Sequence, residues 1–549
     1  MTNRKRNRHI EEKHAYAFYY ILLLSIIAFG AVLAMLLYTG PNLEYDDNFY
    51  ISSAHLLLQG NSTFILSKFS YGFLKTAILA LSFKAFGYGN IQAVLPNLIY
   101  FIITICLVFL IGKNMQGYRL GLVSAFLAAG MPFFVENATR VLADVPLGMV
   151  VALFFYALFK YINHREKSAA IALLVGISAS LPIYMKTEGF MIIFAEALSV
   201  LLLYAYGKHT GKTGKRYQYG NAINKNFIMY AGIGLAIGLL VYFSVFYVFT
   251  GNPFFSVENY GGGAAPTGTG KIATVSMLLN PNTFSYNNYN NILITSLGLF
   301  PVVSALGTVI GIRKRDIKLS SFSLFMWFAF AYLFFGPAST ARFIMVPTVT
   351  RLFDALAAPF AVLSGYCIVS LYDAFGKKRT MHLGKIAALI VLAAMLITNL
   401  PLYQIDHIYA ESILSTYQLF STVNSGLVRL SNGTNFTAYI NNTVGFRQVT
   451  YNDMQFVSSY SEGESFFDLD SVMPSIVVDR CPAILPSANS YLIYIVSGVK
   501  VNNTEVPGKS VIAWLGNNCT VALQKVYLQK SLYGSMAPDN VYVYSLKNR

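Results

Sequence analysis

Apolar residues in this chain do not alternate with polar ones. They gather in long blocks, separated by short charged or Gly-, Pro- and Asn-containing breaks. Residues 17–39 carry no charged side chain, and about 20 apolar residues are enough to cross a bilayer as a helix. Further blocks fall at 91–112, 120–135, 144–162, 169–185, 189–206, 227–249, 292–312, 319–336, 353–372 and 386–402. With the first, they predict eleven transmembrane helices. No small-residue cleavage site follows the first block, so it reads as a retained anchor rather than a removed signal. Residues 40–90 form a long first external loop. Asn48 to Gln59 suggests a helix there, and Phe73 to Gly87, apolar but short and holding Lys75 and Lys84, predicts an interfacial or re-entrant helix.

The pattern changes after residue 402. Ser475 to Val478, Ser490 to Val496, Ser510 to Leu515 and Asn540 to Leu546 are short runs between Pro, Gly and Asn, the punctuation of strands. The expected fold is a polytopic α-helical membrane protein with about eleven transmembrane helices. A small α/β or mainly β extracytoplasmic domain follows. The expected domains are 1–402 and 403–549.

Composition agrees: 55% of the 549 residues are hydrophobic and only 12% charged. Soluble domains carry about 25% charged residues. The net charge of +16 invites a nucleic-acid reading, which its distribution excludes. Residues 403–549 hold 9 Lys/Arg against 10 Asp/Glu, so the basic excess lies in the membrane half. There it sits in short loops on one side: five Lys/Arg against two Glu in Met1 to His14, and five Lys/Arg with no acid in 207–226. That is the bias of cytoplasmic loops. Glycosylation sequons begin at Asn61, Asn137, Asn432, Asn435, Asn441, Asn502 and Asn518, and all seven fall on the opposite, external side. Cys106 and Cys367 lie in apolar blocks and read as inert, whereas Cys481 and Cys519 could pair in an extracytoplasmic domain.

Few charged residues remain on the external membrane side. Asp46 and Asp47 follow the first span directly. They would ordinarily be solvated loop acids or a helix cap, but acids beside a bilayer are costly and often functional. Asp144 opens the helix of 144–162 with Pro146 in its first turn, an ordinary N-terminal pairing, and Arg140 could pair with it or bind an anion. Lys186-Thr187-Glu188-Gly189 is a charged turn that either closes a helical hairpin or meets a lipid phosphate. Arg342 and Arg351 flank Pro347; Arg suits phosphate through its planar donor fork, and otherwise snorkels. Glu196 lies deep in a span and is expected to be hydrogen-bonded within the bundle. The Gly-rich loop 250–291 lacks the Gly-Lys-Ser/Thr of a Walker-type phosphate loop.

The register Asp47-Tyr50-Ala54-Gly60 within Asp46 to Gly60 resembles the first external loop of GT-C glycosyltransferases. It is most similar to the protein O-mannosyltransferase and aminoarabinose transferase branch. Arg140…Asp144-x-Pro146 and Lys186-x-Glu188-Gly189 resemble that branch's second and third external elements, and Arg342 its late arginine. The acidic pair here is Asp-Asp rather than Asp-Glu, and Ser70-Tyr71-Gly72-Phe73 replaces a His-Pro-Pro-like stretch. The resemblance implies an inverting hexosyl or mannosyl transfer at the external face. The donor would be a polyprenyl-phosphate sugar held in membrane lipid, and the acceptor a hydroxyl of a protein, lipid or glycan. It implies Asp46 as catalytic base supported by Asp47, with Asp144 as a further catalytic carboxylate. Lys186, Arg342 and Arg140 would bind the donor phosphate, with Glu188 and Arg351 in support. A divalent metal ion on Asp46 and Asp47 is an option. An oligosaccharyltransferase would need a Trp-Trp-Asp motif, and the chain has only Trp327 and Trp514. A transporter or a non-catalytic assembly protein is the alternative. The implied location is the cell membrane, or the endoplasmic reticulum in a eukaryote.

Overall fold

The computed structural model describes residues 2–38, 46–60, 71–163, 168–212, 223–258, 297–314, 316–335, 350–374, 383–403 and 429. It also describes the strands at 437–442, 465–468, 490–496, 519–528 and 540–548. In chain order the first helices are α1 (Thr2–Leu36), α2 (Asp46–Leu58), α3 (Phe73–Phe86), α4 (Asn90–Gln116) and α5 (Tyr118–Ala129). Then come α6 (Pro132–Asn137), α7 (Asp144–Asn163), α8 (Ala169–Met185), α9 (Gly189–Lys212), α10 (Lys225–Thr250) and α11 (Phe255–Glu258). The last are α12 (Phe300–Arg313), α13 (Ile317–Phe335), a 3₁₀ helix (Thr350–Leu356), α14 (Ala357–Ala374) and α15 (Leu383–Tyr403).

This is a multi-pass membrane protein. Among the described residues, six helices are long and apolar enough to cross a bilayer: Ala17–Leu36, α4, α7, α10, Phe353–Asp373 and α15. The other five predicted spans each coincide with a shorter apolar helix: Tyr118–Ala129, Ala169–Met185, Gly189–Ala205, Phe300–Arg313 and Lys318–Leu333. The Phe353–Asp373 helix is almost wholly enclosed by its neighbours. Ala17–Leu36, α10 and α15 turn most of their surface outward, including Leu24, Leu240, Val248 and Leu389. Lipid tails are as apolar as these side chains, so exposing them there costs little.

Close approach of backbones does the packing instead. At Gly176 a Cβ would strike the Ala231 carbonyl, and at Gly234 the Leu173 carbonyl, so α8 and α10 meet backbone to backbone. Tyr184 OH crosses the same seam and donates to the Gly238 carbonyl at 2.5 Å.

One sequence expectation is corrected here. The block 120–135 is not one helix. It breaks at Gly130 and Met131, and Pro132 starts α6 at a position where its missing N–H costs nothing. The Gly130 carbonyl freed by the break accepts from Asn399 Nδ2 at 3.1 Å and Tyr403 OH at 2.6 Å, both on α15. The short apolar stretch read as an interfacial or re-entrant helix is helical as α3, and its Lys75 points inward. It is buried, donates to the Val141 carbonyl at 2.7 Å and lies 2.9 Å from the centre of the Tyr50 ring.

Beyond the helices lies a five-stranded mixed sheet. Its strands are β1 (Thr437–Asn442), β2 (Ser465–Asp468), β3 (Ser490–Val496), β4 (Cys519–Leu528) and β5 (Asn540–Asn548). Their order is β2-β1-β3-β5-β4. β1 pairs parallel with β2 and β3, whereas β5 pairs antiparallel with β3 and β4. The predicted runs at 490–496 and 540–546 are strands; those at 475–478 and 510–515 lie outside the described residues. β1 carries a sequon, and β4 shifts register between Leu523 and Lys525, which hid both strands from the apolar pattern.

Candidate functional site

Four segments converge near the ends of α2, α6, α7 and α8. The segment 138–143 is irregular, and it is held from two sides. Lys75 on α3 donates to the Val141 carbonyl, and Asn97 on α4 donates to the Leu142 carbonyl at 2.8 Å. This places Arg140 and Asp144 at opposite ends of a fixed loop. The turn between α8 and α9 is fixed as tightly. A Cβ on Gly72 would strike the Met185 carbonyl, and one on Gly189 the carbonyl of Pro182. Residues 71–72 thus press on the end of α8, and α9 starts folded back against it.

The charged side chains form two groups. In the first, Asp47, second residue of α2, is fully buried, and its Oδ2 lies 3.7 Å from Arg140 Nε. Arg140 Nη1 also lies 3.5 Å from Glu136 Oε1. In the second, Lys186 Nζ lies 2.8 Å from Asp144 Oδ1 and 3.7 Å from Glu188 Oε1. Asp144 is the first residue of α7, so the positive end of that helix adds to the attraction of Lys186. A buried ion pair offsets the cost of desolvation only with good geometry, and loss of one partner strands the other. Each cation here is flanked by two carboxylates, which keeps it in place but leaves it able to exchange a partner for an incoming anion.

Beside the second group opens a small, mainly apolar crevice. Leu147, Met191, Ile192, Ala329, Leu333 and Ala355 line it, and Lys186, Glu188 and Tyr332 are its polar members. It combines an apolar wall with a cation at its head, which suits an amphipathic anion.

Of the residues singled out in the sequence, the structure pairs Asp47 with Arg140, and Lys186 with Asp144 and Glu188. One pairing differs. Arg140 faces Asp47 and Glu136 rather than Asp144, whose cation is Lys186. The reason is that 138–143 is not helical, so residues four apart do not share a face. Arg342 lies outside the described residues. Asp46 is described as the first residue of α2 and Arg351 as part of the 3₁₀ helix, but their side chains are not. Among the described residues Glu196 has no hydrogen-bond partner on either carboxyl oxygen, and the nearby Ser199 hydroxyl donates to the Ala195 carbonyl. Sequence reasoning missed Glu136 and Asp354. The latter is fully buried on the 3₁₀ helix, within electrostatic reach of Asp144, Glu136 and Lys186.

Among the described residues no group of three or more His, Cys, Asp or Glu could hold a metal ion. Arg140 supplies a positive charge beside Asp47, one of the two expected ligands.

Residues 72–224 match the family profile of dolichyl-phosphate-mannose-protein mannosyltransferases. The match takes in Arg140, Asp144, Lys186 and Glu188 and begins after the acidic pair. No curated protein matches the chain. Among solved structures, the chain is similar to ArnT from Cupriavidus metallidurans in the apo state, at 11% identity and a TM-score of 0.57, over 96% of this chain and 98% of that one. The same ArnT bound to undecaprenyl phosphate matches at 10% identity and a TM-score of 0.55, over 97% and 98%. The oligosaccharyltransferase AglB from Archaeoglobus fulgidus, in complex with an inhibitory peptide and a dolichol-phosphate, matches at 11% identity and a TM-score of 0.52, over 86% and 69%. The chain has the fold of these proteins, and the family profile falls on the mannosyltransferase branch that its sequence resembles.

Proposed function

We propose that the protein is a glycosyltransferase that moves a sugar from a polyprenyl-phosphate donor to a hydroxyl acceptor, with inversion, at the extracytoplasmic membrane face. The observation that carries this reading is the meeting of an apolar crevice with Lys186, alongside a second buried cation–carboxylate group at Arg140 and Asp47. The solved ArnT bound to undecaprenyl phosphate and the family profile over residues 72–224 support the donor class.

In this reading the lipid tail lies against Leu147, Ile192 and Leu333, and its phosphate meets Lys186. Lys186 then shifts from Asp144 towards the phosphate and stabilises the charge that grows on it as the glycosidic bond breaks. Arg342, ahead of a late span, supplies a second donor fork to the same phosphate, with Arg351 in support. Asp144 keeps Lys186 pointed at the site, and Glu188 supports it. At the other end Arg140 engages Asp47. That pairing favours Asp46 as the base that takes the acceptor's proton, with Asp47 fixing the start of α2 beneath it. Attack on the anomeric carbon from the face opposite the phosphate inverts it. A divalent ion held by Asp46 and Asp47 would add to the positive charge that aids departure of the phosphate. Mannose is the sugar favoured by the family profile, and the acceptor is a protein, lipid or glycan hydroxyl.

All five shorter apolar helices cross the bilayer in this reading, which puts the amino terminus in the cytoplasm and the sheet outside. Incubating the purified protein with labelled polyprenyl-phosphate sugars tests the reading. Release of polyprenyl phosphate above the protein-free rate is expected. Absence of release and of donor binding would overturn it.

A further inference from the structure

One buried carboxyl group has no task in the chemistry above. Asp354 sits on the 3₁₀ helix Thr350–Leu356, fully buried, and among the described residues neither of its oxygens accepts a hydrogen bond. Asn137 is its polar neighbour: one N–H of that amide donates to the Phe133 carbonyl at 2.8 Å, and the other is the donor nearest the Asp354 carboxyl group, short of full hydrogen-bond geometry. The place of Asp354 is set by packing: its own carbonyl presses on Gly148 of α7 so closely that a Cβ there would overlap it. Burying a carboxyl group with so little hydrogen bonding costs free energy, and native structures rarely leave one so. Such a group stands ready for donors that arrive with a ligand.

Its surroundings say which ligand. Asp354 is within electrostatic reach of Asp144, Lys186 and Glu136. Glu136 belongs to the Arg140–Asp47 group, and Lys186 heads the crevice. Ala355, the next residue, is part of the crevice wall. The carboxyl group is therefore near members of both groups, the one assigned to the donor phosphate and the one assigned to the acceptor's base. In an inverting transfer the phosphate and the attacking oxygen are on opposite faces of the anomeric carbon. What lies between them is the sugar.

We propose that Asp354 recognises the transferred sugar, its two carboxyl oxygens accepting hydrogen bonds from hydroxyl or amino groups of the lipid-linked ring. The inference rests on the donor reading given above. A planar carboxyl group can take two neighbouring hydroxyls at once. A buried site built to accept hydrogen bonds rejects a ligand that lacks them, because its own polar atoms are then left bare. Asp354 takes no part in bond making, so its effect falls on donor affinity and choice of sugar.

The test measures binding to the full-length protein in nanodiscs, without turnover. The probes are a bare polyprenyl phosphate and the same lipid carrying a mannosyl, glucosyl or aminopentosyl group. Wild-type protein should bind at least one sugar-bearing lipid more tightly than the bare phosphate. In Asp354→Asn that gain should fall by roughly 10- to 100-fold, the value of charge-assisted hydrogen bonds, while affinity for the bare phosphate stays within about twofold. Asp354→Ser, which removes the carboxyl group and most of its volume, should lose the same gain, and thermal unfolding checks that both variants fold. A sugar gain that survives in a folded variant overturns the inference. So does an equal loss for bare and sugar-bearing lipids, or a wild type that binds the bare phosphate and gains nothing from any sugar. If wild-type protein binds no polyprenyl phosphate at all, the donor reading itself fails.

Discussion

Lys186 Nζ and Asp144 Oδ1 lie 2.8 Å apart, 42 residues apart in the chain, and each starts or precedes a helix. Both are largely buried, so neither can lose the other cheaply. Lys186→Met should destabilise the protein by about 3–5 kcal/mol, the cost of stranding a buried charge. Lys186→Met combined with Asp144→Asn should recover much of that stability, since no charge is then left alone. The double variant should still fail to use donor. Thermal unfolding and donor turnover, measured on the same samples, separate the structural role from the functional one. Recovery of both together would mean that the pair serves stability alone.

The packing of α7 on the 3₁₀ helix predicts a second result. Gly148 has no room for a Cβ against the Asp354 carbonyl. Gly148→Ala should cost about 1–3 kcal/mol as overpacking, and should weaken donor use because it moves Asp354. Gly232, on α10, has nothing within 4 Å of a built Cβ. Gly232→Ala should therefore raise stability slightly, by about 0.5–1 kcal/mol, through helix propensity.

A third prediction concerns pH. His55, near the end of α2, is hydrogen-bonded to Tyr88 OH at 2.8 Å and to Gln59 Nε2 at 2.7 Å. With Gln59 donating, the neutral ring holds its proton on Nδ1. Burial pushes its pKa below the usual 6.5. The unfolded chain then binds more protons than the folded one as pH drops, so the stability that His55 contributes is present above 6.5 and lost as pH falls through its folded pKa. His55→Gln should flatten that part of the stability profile, read by thermal unfolding between about pH 5 and 8. An unchanged slope would remove His55 from the account.

Much of this site could be read along the chain. Lys186-Thr187-Glu188 and Asp144-x-Pro146 stand out because charge interrupts apolar blocks, and in the fold the two meet through Lys186 and Asp144. The partner of Arg140 could not be read. Its spacing from Asp144 mimics a helical pair, and only the irregular path of 138–143 turns it to Asp47 instead. Asp354 left no trace either. It sits between Phe353 and Ala355 at the head of an apolar block, where it reads as an ordinary helix start, and its lack of partners is a property of three-dimensional packing.

Charge bookkeeping gives a fourth prediction. Arg140 already offers Asp47 a positive charge at 3.7 Å, and Lys186 is placed for the donor phosphate. Treating the purified protein with EDTA should lower turnover by less than about twofold, because a metal would add to charges already in place. Loss of activity with EDTA, restored by one divalent cation, would move the role of Asp46 and Asp47 from proton transfer to metal binding.

The most direct measurement follows labelled sugar from polyprenyl phosphate to acceptor in membranes holding wild-type protein, Asp46→Asn, Asp47→Asn or Asp144→Asn. Wild-type protein should transfer the label with inverted anomeric configuration. Asp46→Asn keeps the side chain's shape without its basicity, and should cut turnover by about 10²–10⁴-fold in a folded, inserted protein. Retained configuration, or near-normal turnover in Asp46→Asn with loss in Asp47→Asn or Asp144→Asn, would contradict the account.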